Sequence, residues 1–354
     1  MGTITVKEIA KICGVSPSTV SNILNGKNKA SDETVKRVMT VIEETGFSPN
    51  YFASSMRKQK SEVISIIVED LNQFTTPPIV VAIMAHCEEM GYRAILINLR
   101  MYDRWKNTWY EDEEKLRSFL IPALSESEAI KADGIIYIAG HGREIRCFPS
   151  DMKVPMVVAY AANKDNIFPS ILIDDENCGY DIGKYLISMG HRNIAVIAGV
   201  ENNMHTVKRI AGFQKALYEA GILYNPKHTL HGDWQRESGY KNAPAVLDMG
   251  VTAVWCMNDQ MAAGVYDYLY EHNITIGEDL SVVGFDNMDY ASYMYPRITT
   301  NELPLTEIGN RAAEMIIKII QNPDWKPESA QTWVPGKMII GKSVKKLESV
   351  NYFV

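Results

Sequence analysis

Apolar positions near the N-terminus recur at helical spacing on both sides of Gly14: Ile9, Ala10 and Ile12 before it, and Val15, Val20, Ile23 and Leu24 after it. Thr5-Val6-Lys7-Glu8 is a T-x-x-E capping box, which predicts a helix starting at Val6. Ser16 as N-cap and Pro17 at the first helical position predict a second helix from Pro17 to Leu24, ended by Asn25-Gly26. Ser31 caps a third, with Asp32 and Glu33 in the first turn, where the helix dipole favours them. Its apolar face is Val35, Val38, Met39, Val41 and Ile42, and Gly46 closes it. Residues 50–60 are amphipathic and end in cations. A helix of about eight residues there is unstable alone in water, so only a partner would order it.

At Ser61 the period changes. Buried strands are predicted at 63–68, 94–99, 134–139, 156–160, 170–173, 193–198, near 228–231, at 252–257 and 280–285, and near 338–340. Helices are predicted at about 77–90, 111–130, 176–189, 206–220, 236–249, 259–271 and 304–321. Apolar strands alternating with helices imply parallel sheets covered on both faces. The strands are too many for one unit, so the body reads as two doubly wound α/β subdomains. Their shared cleft would lie at the carboxyl ends of the strands, where small ligands bind. The implied division is a head at 1–48, a linker or hinge helix at 49–61, a core at 62–343 and a tail at 344–354. Within the core, an N-subdomain would take 62–173 and 302–325, and a C-subdomain 174–301 and 326–343. The tail shows no heptad repeat, so a dimer is expected rather than a coiled-coil tetramer.

Charge sharpens this division. The chain has 354 residues and a net charge of −7. Residues 1–60 hold nine Lys or Arg against five Asp or Glu, whereas the rest holds 27 basic and 38 acidic residues. A basic head on an acidic body suits a head that meets phosphates and a body that does not. The N-terminus is polar, and no apolar run approaches the ~20 residues that cross a bilayer, so a cytoplasmic, nucleoid-associated protein is expected. Five scattered cysteines without a C-x-x-C predict free buried thiols and no metal site.

Helix, glycine turn and capped second helix form a helix-turn-helix pattern. The second helix presents Pro17, Ser18, Ser21 and Asn22, small or hydrogen-bonding groups able to approach base edges in a major groove. The run V-S-P-S-T-V-S-N-I-L-N-G, followed by G-F-S-P-N-Y-F-A-S-S-M, resembles the DNA-binding head and hinge of the LacI/GalR family of bacterial repressors. The body adds M-G-H-R-N-I-A-V-I-A-G at 189–199, R-I-A-G-F at 209–213, N-D-Q-M-A-A-G at 258–264 and V-V-G-F-D at 282–286, so the resemblance spans essentially the whole chain.

That resemblance implies a periplasmic-binding-protein-like core, a homodimer on double-stranded operator DNA and no enzymatic activity or cofactor. It places Ser16, Pro17, Ser18, Ser21 and Asn22 at bases or phosphates and Asn25, Lys29, Ser31 and Asn50 near the DNA backbone, with Thr5 and Ala53 also in the DNA-binding set. Met56 would be wedged into a central base step, where the family usually has Leu. Asn22 stands where many relatives carry Arg, so a different base preference is expected there. Between the subdomains the family holds a small effector, most often a sugar or a purine. Here Arg209 and Asp286 would hydrogen-bond it, Asn258 would donate and accept, and Trp234 would stack on a sugar ring. Phe74 would line the other wall, and His205 would reshape the pocket or lie as a solvated loop histidine. Arg209 paired with Asp286, and Asn258-Asp259 as a mere helix cap with Asp259 the capping residue, are the plainer alternatives. Asp174-Asp175 reads as a helix start. The segment 101–131, long and charged, reads as extra packing surface.

Two other classes share parts of this pattern. A solute-binding protein has the two-lobed body but carries a signal peptide and no head, the reverse of this chain. An enzyme would need chemistry in the cleft, yet P-loop, G-x-S-x-G and H-E-x-x-H motifs do not occur.

Overall fold

A computed structural model describes residues 4–24, 30–47, 61–106, 110 and 112–348. The chain divides into two compact units, 1–62 and 63–354.

The first unit contains α1 (Val6–Cys13), α2 (Pro17–Leu24) and α3 (Asp32–Thr45). Each start is set locally. The Thr5 hydroxyl accepts from the Glu8 N–H while the Glu8 carboxylate accepts from the Thr5 N–H. The Ser16 hydroxyl accepts from the Thr19 N–H at 3.1 Å, and the Ser31 hydroxyl from the Thr34 N–H at 3.4 Å. Gly14 and Gly46 end α1 and α3 at φ 65° and 61°, a left-handed backbone that glycine adopts without strain. Ile9, Ala10, Cys13, Val20 and Val38 form a small buried core.

The second unit holds two parallel sheets. The first comprises β1 (Val63–Val68), β2 (Arg93–Asn98), β3 (Gly134–Ile138), β5 (Met156–Ala159), β7 (Ser170–Ile173) and β13 (Gln331–Val334), in the order β13-β7-β5-β3-β1-β2. The second comprises β8 (Ile194–Ala198), β9 (Thr229–His231), β10 (Ala253–Cys256) and β11 (Ser281–Val283), in the order β11-β10-β8-β9. Central strands such as β1, β3, β8 and β10 are buried at every residue, as a sheet covered on both faces requires. Between the first-sheet strands run α4 (Thr76–Glu89), α5 (Met101–Trp105) and α6 (Glu113–Ala129). The second lobe carries α7 (Asp175–Ser188), α8 (Met204–Glu219), α9 (Arg236–Asp248) and α10 (Asp259–Glu271). Two short ribbons complete the body: β4 (Glu144–Ile145) beside β6 (Ala162–Asn163), and β12 (Thr300–Glu302) antiparallel to β14 (Lys337–Ile339). The amphipathic helix α11 (Leu305–Gln321) returns from the second lobe to pack on α4 and the first sheet.

Two local expectations are corrected. The segment 326–343, assigned to the C-subdomain, sends Gln331–Val334 to the first sheet, in parallel register with Ser170–Ile173. That strand is short, half-buried and follows a polar stretch, so its place depends on a neighbour 161 residues away. Helix α5, predicted as no element, is ordered from outside: the Asp70 carboxylate accepts the N–H groups of Tyr102 (2.8 Å) and Asp103 (3.3 Å).

Candidate functional site

The candidate nucleic-acid head presents Ser16, Pro17 and Ser18 as exposed residues at the start of α2, with Ser21 and Asn22 half-buried one turn on. Ser16 is also the cap of its helix, and its hydroxyl lies 2.6 Å from that of Ser18. Thr5 and Ser31 cap α1 and α3. The remaining expected contacts, Asn25, Lys29, Asn50, Ala53 and Met56, lie outside the described residues.

In the body, a cavity of about 290 Å³ opens between the two sheets. Phe74, His205, Arg209, Trp234, Asn258 and Asp286 all line it. Phe74 comes from the loop between β1 and α4, and Trp234 from the loop between β9 and α9. The Trp234 ring lies flat over Gly199, where any Cβ would sit 1.9 Å from a ring carbon. Trp234, Tyr160 and Asp286 all adopt positive φ (70°, 69° and 108°). Three non-glycine residues in that region around one cleft mark backbone strain held in place by the surroundings.

Arg209 is buried on α8. Its Nε donates to the Asp175 carboxylate at 2.8 Å, its Nη1 donates to the Met257 carbonyl at 2.8 Å, and its guanidinium lies 3.6 Å over the Phe285 ring. The ion pair is therefore with Asp175, not with Asp286. Asp175, the first residue of α7, also accepts from His205 Nδ1 at 2.6 Å. Burial alone would raise its pKa, but the charges and hydrogen bonds of His205 and Arg209 outweigh that and hold it at about 2. Asp286 differs. Burial pushes its pKa well above the carboxylate range, the Arg209 charge opposes this, and the Asp259 and Asp175 charges add to it. A carboxyl so desolvated gains most from hydroxyl or amide groups that hydrogen-bond to it.

Asn258 caps α10 by accepting from the Met261 N–H at 2.8 Å, and its amide nitrogen donates to the Trp234 carbonyl at 2.9 Å. The cap is thus Asn258 itself; Asp259 is the first helical residue, buried and raised by that burial to about 6 despite bonds from Thr300 and the Met288 N–H. Asn258 anchors the Trp234 loop as well as facing the cavity. His205 is no solvated loop residue: it is buried in the first turn of α8.

Sequence reasoning missed three contributors. Asp175 starts a helix, as the sequence predicts, yet its carboxylate also anchors Arg209. Tyr102, carried by α5 in the segment 101–131, forms part of the cavity wall. The buried Glu69 at the end of β1 accepts from the Gly140 N–H (2.6 Å), from Arg143 Nη2 (2.6 Å) and from the Tyr137 hydroxyl. An acidic residue directly after a strand that is apolar but for Ser65 is the available signal for it.

Comparison with known proteins agrees with both units. Residues 5–50 match the family model for bacterial regulatory proteins of the lacI family, and residues 184–344 match a periplasmic binding protein-like domain. The chain is 31% identical over 324 residues to the HTH-type transcriptional regulator RegA of Clostridium saccharobutylicum, covering 90% of this chain and 93% of that one. It is 31% identical over 332 residues to the HTH-type transcriptional repressor PurR of Escherichia coli O139:H28, covering 92% and 93%. In fold it resembles the lac repressor dimer bound to operator and the anti-inducer ONPF, with a TM-score of 0.78 at 23% identity over 97% of this chain and 100% of that one. It also resembles a complex of the regulator CelR with cellobiose, with a TM-score of 0.62 at 23% identity over 96% and 99%. The chain belongs to the LacI family of bacterial regulatory proteins: a helix-turn-helix head joined to a two-lobed, periplasmic-binding-protein-like body.

Proposed function

We propose that this DNA-binding transcriptional regulator is a repressor that binds a palindromic operator as a homodimer and is controlled by a neutral sugar held between the lobes. The observation that carries the effector reading is that Asp286 and Arg209 line one cavity walled by Trp234 and Phe74. Arg209 is already neutralised by Asp175, and Asp233 and Asp286 face the same space. Among the described residues the lining thus leaves no unpaired guanidinium to meet an anion, while carboxyl and carbonyl oxygens remain for hydroxyl groups, which suits a neutral polyol over an anionic ligand. The flat ring of Trp234 suits the apolar face of a pyranose. The fold neighbour in complex with cellobiose supports the same reading.

A purine is the second reading, favoured by the 31% identity to PurR. On the head, Pro17, Ser18, Ser21 and Asn22 read bases, and Thr5, Ser16 and Ser31 lie at the DNA backbone. Asn25, Lys29, Asn50, Ala53 and Met56 complete that set in this reading. For the dimer, α4 turns Val81 and Met84 outward, 66% and 45% exposed, beside the edge strand β2 with Leu96. An apolar outer face of this kind suits a second copy. Effector binding changes the relation of the lobes, and the change reaches the head through the start of β1. Coupling of about 1–3 kcal/mol would change operator affinity roughly 5–150-fold.

Thermal-shift screening of mono- and disaccharides against nucleobases, followed by operator anisotropy with the best hit, tests this. Asp286→Asn and Trp234→Ala are expected to weaken the hit at least tenfold while leaving operator affinity without effector unchanged. A full-length dimer that retained no duplex from a random pool, with or without added compounds, would refute it.

A further inference from the structure

One contact joins the lobes in a way that ligand recognition does not require. His205 belongs to the second lobe, on α8. Its Nε2 lies 3.1 Å from the backbone N of Gly142, which belongs to the first lobe, in the loop between β3 and β4. The opposite ring nitrogen, Nδ1, lies 2.6 Å from the Asp175 carboxylate. The protons follow from the partners. The Asp175 carboxylate, ion-paired with Arg209 as well, accepts at this contact, so Nδ1 carries the hydrogen. The Gly142 N–H is a donor, so Nε2 must present its lone pair. Only the neutral Nδ1–H imidazole satisfies both ends.

We propose that His205 is a clasp between the two lobes, closed while its imidazole is neutral and released when it gains a proton. Protonation at Nε2 sets two N–H groups head to head. The loop has little room to give way, because Glu69 pins it on one side through the Gly140 N–H and on the other through Arg143. The fit is close: a Cβ on Gly142 would lie 2.2 Å from Nε2. That approach explains a glycine at this position independently of the hydrogen bond.

The groups facing His205 come from every element around it. Asp175 on α7 brings one negative charge. Arg209, one turn further along α8, and Arg143 in the facing loop bring two positive charges. Tyr160, at the end of β5, has its ring centroid 5.5 Å from that of His205, and Asp286 lines the same cavity. His141, next to the clasp, is kept neutral by its burial and by the Arg143 charge, with a pKa lowered to about 3. It is therefore not a competing titrating group near neutrality. The clasp is a property of the body and stands whether the cavity takes a sugar or a purine.

The test measures the distance between the lobes in the full-length protein without added effector. Spin labels on cysteines introduced at Lys153 and Lys227, both exposed, report it, and the five native cysteines are buried and spared. Between about pH 8 and about pH 5.5, the short-distance population of the wild type is expected to fall roughly three- to tenfold, the worth of one hydrogen bond. His205→Gln, which keeps an acceptor but cannot gain a proton, should hold one distribution across that range. Gly142→Ala should give the long distance at both ends of it. A wild-type distribution that does not move with pH, or a His205→Gln variant that moves as the wild type does, overturns the proposal.

Discussion

Replacing Asp175 by Asn tests whether the cavity is organised around that carboxylate. Asp175 is 2% exposed and holds Arg209 and His205 at 2.8 and 2.6 Å. Its pKa of about 2, against an ordinary 3.8, corresponds to about 2–3 kcal/mol in favour of the folded protein. An independent route gives a similar figure: removing one partner of a buried ion pair costs about 3–5 kcal/mol, because the other charge is left uncompensated. For a body of this size about 1 kcal/mol moves the melting temperature by about 2–4 °C, so Asp175→Asn should melt about 5–12 °C below wild type at pH 7. The pH dependence has a definite sign. The folded-state pKa lies below the unfolded one, so the stabilisation is fully present above about pH 4 and fades as pH falls through about 2. The gap between wild type and variant should narrow over that interval. In an Arg209→Met background, Asp175→Asn should cost much less, since the orphaned cation is gone. Calorimetry of the four proteins checks this. A loss below about 1 °C at neutral pH, or equal losses in both backgrounds, would refute the reasoning.

Two further outcomes follow from packing. Gly212→Ala on α8 places a Cβ 1.8 Å from the Glu176 carbonyl oxygen on α7; forcing those helices apart should cost about 1–3 kcal/mol in thermal unfolding and weaken effector binding through Asp175 and Arg209. Ile9→Ala empties a fully buried position in the small head core at about 2–5 kcal/mol, so anisotropy should show operator binding lost while calorimetric effector binding is kept.

What the sequence determined by itself was everything governed by neighbours within a turn or two. The Thr5–Glu8 box, the Ser16 and Ser31 caps and the Gly14 and Gly46 stops set the head's helices to the residue, because each cap is a hydrogen bond between positions three or four apart. Apolar runs located nearly every strand of the body, since burial on both faces needs continuous hydrophobic stretches. The resemblance to one family brought forward Phe74, His205, Arg209, Trp234, Asn258 and Asp286, which the fold gathers around one cavity.

Partnerships across long separations were set by the assembled backbone. Gln331–Val334 joined the first sheet because Ser170–Ile173 offered an open edge, which no local pattern records. Helix α5 exists because Asp70, more than 30 residues earlier, caps it. Arg209 chose Asp175 over Asp286 because α7 and α8 meet through Gly179 and Gly212, bringing the start of one helix onto the other. His205 took a donor on one nitrogen and an acceptor on the other because two lobes meet there. Local sequence carries capping and burial, but the choice among several equally charged partners is made by which backbones can approach.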